Sequence, residues 1–341
     1  MNRLILIDSI YVNMGGAMGL LRYLVSSLQE RGVDFFLLAD SRCGDEFKSL
    51  PHTKSLPATL KERKDFYKQH GAEFISVLCF GNVPPPIKMK IPVYTYFHNI
   101  SLLKIPSDGR LMPRIKFFLK QRLIDYYGRN TDAWIVQTDN TATELKRHLY
   151  NGKKQIYVLP FYNIPQELKD SSLTKKGRDD YALIGELSYP RGHGIILDVW
   201  KKLHEMGFDK TLHLTVSNRT ESHIAYRQKI EELKKQGVKI INHGTIPFSE
   251  VIKIYKQCKA IVYPSSNESL GLSIIEAIVA GCDVITSDLP FAHAICVPSA
   301  VFNREDVERI CRVIIEYDYN PTPKSRLKIH NSINELLKII L

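Results

Sequence analysis

The 341-residue sequence has no Cys-x-x-Cys pair, no Asp-x-Asp and no Gly-x-Gly-x-x-Gly. It also has no apolar run near the roughly 20 residues that cross a bilayer. Each absence removes a class. Its six cysteines (Cys43, Cys79, Cys258, Cys282, Cys296 and Cys311) lie far apart, without histidines at metal-ligand spacing. Several sit in apolar runs, as Cys79 does in Ser76-Val77-Leu78-Cys79-Phe80. They read as buried, reduced thiols, not as a zinc site or a disulfide scaffold. Met1-Asn2-Arg3 leads straight into a strand-like Leu4-Ile5-Leu6-Ile7, with no signal-peptide pattern, so a cytoplasmic protein is expected. Low-complexity tracts and short repeats are missing too.

Acidic residues are scarce in the first half. Residues 1–165 hold 23 Lys/Arg against 14 Asp/Glu, whereas the remainder holds 24 against 22, so the net charge of +11 is concentrated in the first half. A one-sided basic surface suits an anionic partner such as a phosphorylated substrate, a membrane surface or nucleic acid; a basic surface kept for solubility is the alternative. Nucleic acid is disfavoured by the lack of a Cys/His finger, a defensible helix-turn-helix or an RNP-like aromatic string. A hydrophobic fraction of 44% with 24% charged residues is that of a globular chain, and the length suggests two domains.

The chain alternates apolar strand patterns with helical ones. Leu4–Asp8 reads as a strand, Asn13–Gly19 as a flexible turn, and Leu20, Leu21, Leu24, Val25 and Leu28 as a helix ending at Gly32. Strand candidates follow at Val33–Ala39, Phe74–Phe80, Val93–Phe97, Trp134–Gln137 and Ile156–Leu159. A polar stretch, residues 166–180, follows Pro165 and reads as a linker. A second series then runs from Tyr181–Gly185 to Asp283–Ser287. Continuously apolar strands alternating with helices imply parallel sheets covered on both faces.

In such sheets, ligands sit beyond the carboxyl ends of the strands. The segment Tyr263 to Pro290 ends a strand, passes Glu268 in a polar loop and starts a helix near Leu272 with Glu276 in its second turn. Backbone N–H groups around Ser269, Leu270, Gly271 and Leu272 would suit an anion at that helix start. Glu268 could hold sugar hydroxyls and Glu276 a ribose diol, because carboxylates accept well from neighbouring hydroxyls. The plainer reading is a solvated Glu268 and a capping or salt-bridged Glu276.

The string "YPSSNESLGLSIIEAIVAGCDVITSDLP" resembles the signature of retaining glycosyltransferases of family 4, which have the GT-B fold. It carries the Glu-x7-Glu pair as Glu268 and Glu276, with Pro264-Ser265 before it and Gly271, Ala277, Gly281 and Ser287–Pro290 around it. Gly15 and Gly16 resemble the family's glycine loop, "VQTDNTATEL" and "HGTIPFSEVIKIYKQCKAIVYPS" look like further landmarks, and His98 matches the histidine that faces the reacting sugar. Asn99 is a weaker candidate beside it. Arg191 matches a diphosphate-binding lysine. Glu186, however, stands where an arginine is expected; the alignment slips there, His193 substitutes, or diphosphate binding is weaker.

The resemblance implies an α/β GT-B protein of two facing Rossmann-like doubly wound domains with a deep interdomain cleft. Its expected parts are an acceptor-side domain over 1–165, a linker over 166–180, a nucleotide-sugar domain over 181–320, and a helix over 321–341 crossing back to the first. It implies an EC 2.4-type hexosyl or glycosyltransferase that uses a nucleotide-sugar donor as substrate, with retention. His98 and Glu268 would be catalytic; Gly15, Gly16, Arg191, Ser269, Leu270, Gly271, Leu272 and Glu276 would bind the donor. No cofactor is expected, and the missing Asp-x-Asp argues against a metal.

Leu111–Asn130 interleaves Arg114, Lys116, Lys120, Arg122 and Arg129 with aromatics, which suits either a membrane surface or a half-buried helix with a basic edge. The first choice leads to a lipid-linked oligosaccharide acceptor at the cytoplasmic face of an anionic inner membrane, in surface polysaccharide or O-antigen (lipopolysaccharide) assembly. A GT-B nucleotide-sugar epimerase and a non-catalytic nucleotide-sugar-binding protein are the alternatives.

Overall fold

The computed structural model describes residues 4–103, 111–170, 177–188, 190–320 and 322–341, of residues 111–113 the backbone alone. The middle of the expected linker, Tyr189 and Pro321 therefore lie outside the described residues. The chain divides into two compact units, Met1–Asn163 with His330–Leu341, and Ile164–Ile329.

The first unit is built on a seven-stranded parallel sheet. Its strands are β1 (Leu4–Asp8), β2 (Phe35–Asp40), β3 (Thr53–Leu56), β4 (Phe74–Cys79), β5 (Val93–Phe97), β6 (Ala133–Val136) and β7 (Gln155–Val158), in the order β3-β2-β1-β4-β5-β6-β7. Helices α1 (Gly15–Glu30), α2 (Leu60–His70), α3 (Leu111–Gly128) and α4 (Asp139–His148) connect them. All of β6 is buried, as expected of a strand covered on both faces. Thr59 and Thr138 side chains cap α2 and α4 by accepting from the N–H three residues on.

Two local readings differ from the sequence pattern. Helix α1 starts at Gly15, inside the expected flexible turn. Only Gly15 needs the turn conformation, with φ +66°; Gly16, Ala17 and Gly19 present no side chain that resists a helix, and buried Met18 anchors the first turn. Strand β3 reads as polar because it is an edge strand, with no residue fully buried.

The second unit holds β8 (Asp180–Leu183), β9 (Leu212–Leu214), β10 (Ile240–Asn242), β11 (Cys258–Tyr263), β12 (Asp283–Ser287) and β14 (Ala300–Phe302) in one parallel sheet. Their order is β10-β9-β8-β11-β12-β14. A small antiparallel pair joins β13 (Cys296–Val297) to β15 (Arg326–Leu327). The helices are α5 (Gln166–Lys169), α6 (His193–Glu205), α7 (Glu221–Lys235), α8 (Phe248–Gln257), α9 (Leu272–Val279), α10 (Pro290–Ile295) and α11 (Val307–Tyr319). The expected linker thus opens as a short helix, whose end is held by the buried Lys256 ammonium donating to the Glu167 and Asp170 carbonyls.

The last helix, α12 (Ile333–Ile340), belongs to the first unit. Ile333, Leu336, Leu337 and Ile340 form the buried stripe of an amphipathic helix. The Ile340 carbonyl accepts from Ser76 Oγ on β4, and Ser332 N–H donates to the Pro160 carbonyl at 2.7 Å. All six cysteines are free, and all but the half-buried Cys43 are buried.

Both main sheets reverse their strand order once, between β1 and β4 in the first unit and between β8 and β11 in the second. Loops at such reversals diverge and leave a crevice at the carboxyl ends of the strands. The loops after β1, β8 and β11 carry Gly15, Gly16, Arg191 and Glu268, while His98 and Asn99 follow the neighbouring strand β5.

Candidate active site

In the second unit the loop after β8 and the loop after β11 are tied together. Ser266 N–H donates to the Pro190 carbonyl at 2.7 Å, and a Cβ on Gly192 would meet the Pro264 carbonyl oxygen at 2.4 Å. Gly185 has φ +133°, and a Cβ there would overlap the Arg191 guanidinium at 1.6 Å. Glycine at 185 is therefore what lets Arg191 lie flat across the end of β8.

Arg191 Nε stands 3.6 Å from Glu268 Oε1. That same oxygen accepts from the Tyr263 hydroxyl at 2.6 Å. One layer away, Tyr255 of α8 donates to Glu276 Oε2 at 2.9 Å. Burial pushes the Glu276 carboxyl up to about 7, against the hydrogen bond from Tyr255 and the charge of Arg191. The unit thus brings together Arg191, Glu268 and Glu276, each fixed by a neighbour and none fully removed from solvent.

Gly271, with φ +65°, is the N-cap of α9 and supplies no side-chain cap, and no acidic residue lies in the first turn. Ser269, Leu270, Gly271 and Leu272 form the lip of that helix start. Its early amides lack intrahelical acceptors by geometry, and the helix dipole is positive there.

Glu186 is turned to other partners. It accepts from Ser217 Oγ at 3.0 Å and lies 3.3 Å from His223 Nε2 and 3.9 Å from an Arg219 nitrogen. His193 does not replace the missing cation. It is 1% exposed, and burial, then the charge of Arg191, holds its imidazole down at about 4, so it is neutral.

In the first unit, Gly15 and Gly16 open α1, whose N-cap Met14 offers no side-chain hydrogen bond. The space beside the Gly15 Cα is open. His98 follows β5, with Nε2 3.0 Å from the Phe80 carbonyl oxygen, and burial lowers its imidazole to about 4. Asn99 is exposed and donates its N–H to Asn82 Oδ1 at 2.9 Å. Behind them, Asp8 Oδ2 accepts from buried Arg63 Nε and from the Tyr67 hydroxyl, each at 2.7 Å.

Sequence reasoning missed Tyr255, Tyr263, Asn82 and the Asp8–Arg63 pair. Tyr263 had a usable signal, a hydroxyl at the end of an otherwise apolar strand five residues before Glu268. The others meet partners 16 to 55 residues away, and no local spacing marks them.

Helix α3 carries exposed Ile115, Phe118, Leu119 and Tyr126 among exposed Arg114, Lys116, Lys120 and Arg122, and exposed Arg129 follows its end. Arg122 lies over the Phe118 ring at 5.3 Å and Arg129 over Tyr126 at 3.9 Å. Among the described residues no helix is long and apolar enough to cross a membrane.

Two Rossmann-like units with these strand orders define a protein of GT-B type. Within it, residues 165–330, essentially the second unit, match the family described as glycosyl transferases group 1. A stretch of 145 residues is 27% identical to the O-antigen chain mannosyltransferase RfbU of Salmonella typhimurium, covering 41% of this chain and 39% of that protein. Among solved structures, sucrose-phosphate synthase from Thermosynechococcus elongatus superposes with a TM-score of 0.70 at 18% identity, over 92% of this chain and 88% of that one. Anabaena Alr3699/HepE, in complex with UDP and glucose, gives 0.66 at 13% identity, covering 93% and 90%. The lipopolysaccharide outer core galactosyltransferase WaaB gives 0.60 at 11%, covering 92% and 89%.

Proposed function

We propose that the chain is a retaining glycosyltransferase that moves a hexosyl group from a nucleotide-sugar donor to a lipid-linked saccharide in surface polysaccharide or O-antigen assembly, without a metal. The observation that carries this reading is the grouping of Arg191, Glu268, Glu276 and the uncapped α9 start at one crevice of the second unit. The match to glycosyl transferases group 1 and the partial likeness to an O-antigen mannosyltransferase support it.

The roles follow from where charge develops. As the bond from the anomeric carbon to the diphosphate oxygen breaks, the sugar ring gains positive character and the diphosphate gains negative charge. Arg191 and the amides of Ser269, Leu270, Gly271 and Leu272 are donors fixed before the reaction begins, which is what stabilises a leaving anion. The amides at Gly15 and Gly16 are assigned the same task. Glu276 accepts from the ribose diol, Glu268 orients the donor sugar, and His98 meets the reacting sugar. The acceptor oxygen bonds to the anomeric carbon on the face the diphosphate leaves, and its proton passes to a leaving phosphate oxygen. No protein nucleophile is assigned. Metal independence rests on the lack of Asp-x-Asp in the sequence.

The basic, aromatic face of α3 is assigned to the cytoplasmic face of an anionic inner membrane, where a lipid-linked acceptor resides. Long cationic side chains beside exposed rings fit the headgroup region.

The test is nucleotide release from a panel of UDP-, GDP- and dTDP-sugars in EDTA, with and without membrane lipid extract, and Glu276→Ala as control. Release of one nucleotide that needs lipid, survives EDTA and disappears in the variant is expected. A donor panel that yields neither release nor a rise in melting temperature would overturn the assignment of Glu268 and Glu276.

A further inference from the structure

Asn82 adopts φ +67°, a left-handed conformation that L side chains seldom take. It follows Gly81, where a Cβ would lie 1.9 Å from the Ile10 carbonyl oxygen, and Phe80, whose N–H donates to the Asp8 carbonyl at 2.7 Å. The loop after β4 is thus pressed onto the loop after β1. Its next carbonyls, Val83 and Pro84, each accept from the Arg63 guanidinium at 2.8 Å.

From this fixed loop the Asn82 amide faces the end of β5. Its Oδ1 accepts from the backbone N–H groups of His98 and Asn99, at 2.8 and 2.9 Å. Those two bonds identify the oxygen, so the atom 3.2 Å from His98 Nε2 is the amide nitrogen. The Phe80 carbonyl lies 3.0 Å from the same ring nitrogen, so Nε2 carries the hydrogen and donates to Phe80, and the Asn82 amide nitrogen, itself a donor, lies beside it without bonding it. The Phe80 and Tyr96 rings lie beside the imidazole, at centroid separations of 5.5 and 5.9 Å.

We propose that Asn82 is a positioning residue for sugar transfer: its amide oxygen, accepting from the His98 and Asn99 backbone N–H groups, ties the end of β5 to the loop after β4, whose Phe80 carbonyl accepts from the imidazole, and together they fix the ring orientation presented to the sugar. The inference rests on the reading that His98 meets the reacting sugar. A bulky or branched residue would not take this backbone conformation without strain, and glycine would take it without supplying the amide. The arrangement also suits the charge. Burial keeps the imidazole neutral, with its midpoint at about 4, and burial raises the Tyr96 hydroxyl, so both rings are uncharged at neutral pH. A neutral ring adds no repulsion to a sugar that is gaining positive character.

The experiment measures steady-state transfer and His ring titration by NMR in the full chain. Asn82→Gly preserves the left-handed backbone and deletes the amide; kcat falls about 10- to 100-fold while donor KM stays within about twofold. Asn82→Asp keeps the oxygen acceptor and places a charge beside the imidazole, which raises the His98 midpoint by about one to three pH units. In an Asn82→Gly/His98→Ala double variant the loss does not exceed that of His98→Ala alone by more than about twofold, because one residue acts through the other.

Wild-type turnover by Asn82→Gly, fully additive losses in the double variant, or an unmoved His98 midpoint in Asn82→Asp would each overturn the proposal while leaving the transferase reading intact. A wild-type protein that turns over no donor would bring down the transferase reading first, and the positional role with it.

Discussion

The two units hold their candidate site residues by opposite means. In the second unit, charged groups are held by hydroxyls and by each other: Tyr263 on Glu268, Tyr255 on Glu276, Arg191 across from Glu268. In the first, an uncharged imidazole is held by a backbone carbonyl, beside a left-handed asparagine that fixes its backbone and a buried ion pair in the same loops. The charged arrangement of the second unit responds to pH and to the charge of a ligand; the neutral one of the first unit is indifferent to both.

The sharpest way to break this contrast is to remove the ion pair under the neutral half. Arg63→Met leaves Asp8 buried without its cationic partner, and breaking a buried pair costs about 3–5 kcal/mol. The first unit is expected to lose that much stability in denaturant unfolding. Each unit has its own buried tryptophan, Trp134 in the first and Trp200 in the second. In a Trp200→Phe background, fluorescence therefore follows the first unit alone. Asp8→Asn added to Arg63→Met recovers part of the loss. A change below about 1 kcal/mol would mean that the ion pair does not hold the loop after β4.

The next effect falls on the charged half. Glu268→Gln keeps size and hydrogen bonding and removes the charge, and kcat is expected to fall about 10²- to 10³-fold, in the range found when one preorganised stabilising group is lost. Tyr263→Phe, which only frees Glu268, is expected to cost about tenfold. Equal losses in the two variants would show that the hydroxyl, not the carboxylate charge, carries the step.

The same contrast explains what the sequence revealed. The charged half lies within one strand–loop–helix segment, so Glu268, Gly271 and Glu276 stand at a fixed spacing that the resemblance could pick out. Arg191 lies apart in the chain and was reached by its match to a diphosphate-binding lysine. The neutral half is assembled from Asp8, Arg63, Asn82 and His98, one from each of four segments, and only the fold joins them. His98 was reached by resemblance; Asn82 carries no polar partner in its own segment, and a positive φ is not written in residue type alone. Sheets and their strands were legible because both faces are covered. Edge strand β3 and the early start of α1 were not, since the former is exposed and the latter depends on tertiary anchoring at Met18.

The charged half should also feel pH. A carboxyl group accepts from both hydroxyls of a ribose diol through its two oxygens only when ionised, and burial has moved the Glu276 midpoint up to about 7. Donor affinity is then expected to rise with pH through that value and to be about tenfold weaker at pH 6 than at pH 8. Tyr255→Phe removes the hydrogen bond that opposes burial, so the midpoint shifts upward. The sign for stability is the reverse. A raised carboxyl midpoint means the folded state binds more protons between the ordinary value and about 7, so free-protein stability falls as pH rises across that window. Glu276→Gln should therefore be more stable than wild type at pH 8 while binding donor less well, a pairing that differential scanning calorimetry and titration check together. A flat affinity profile from pH 6 to pH 8 would remove Glu276 from the donor site.

The smallest expected effect concerns the outside of the first unit. Its basic excess is concentrated on one side of the sequence, and α3 exposes part of it beside Phe118 and Leu119. A headgroup surface attracts each nearby cation by about 1 kcal/mol and loses most of that within a Debye length. Lys116→Ala or Lys120→Ala should each weaken co-sedimentation with vesicles rich in anionic lipid about fivefold, and Phe118→Ser by a similar factor through lost apolar burial. The charge variants should lose their effect in high salt, whereas the Phe118→Ser defect should persist, because screening does not touch the hydrophobic contribution. Lys235, exposed on α7 of the second unit, is the matched control, and Lys235→Ala should bind vesicles as wild type does. If it weakens binding as much as Lys120→Ala, attraction to the membrane is a property of net charge, and the face of α3 has no special part in it.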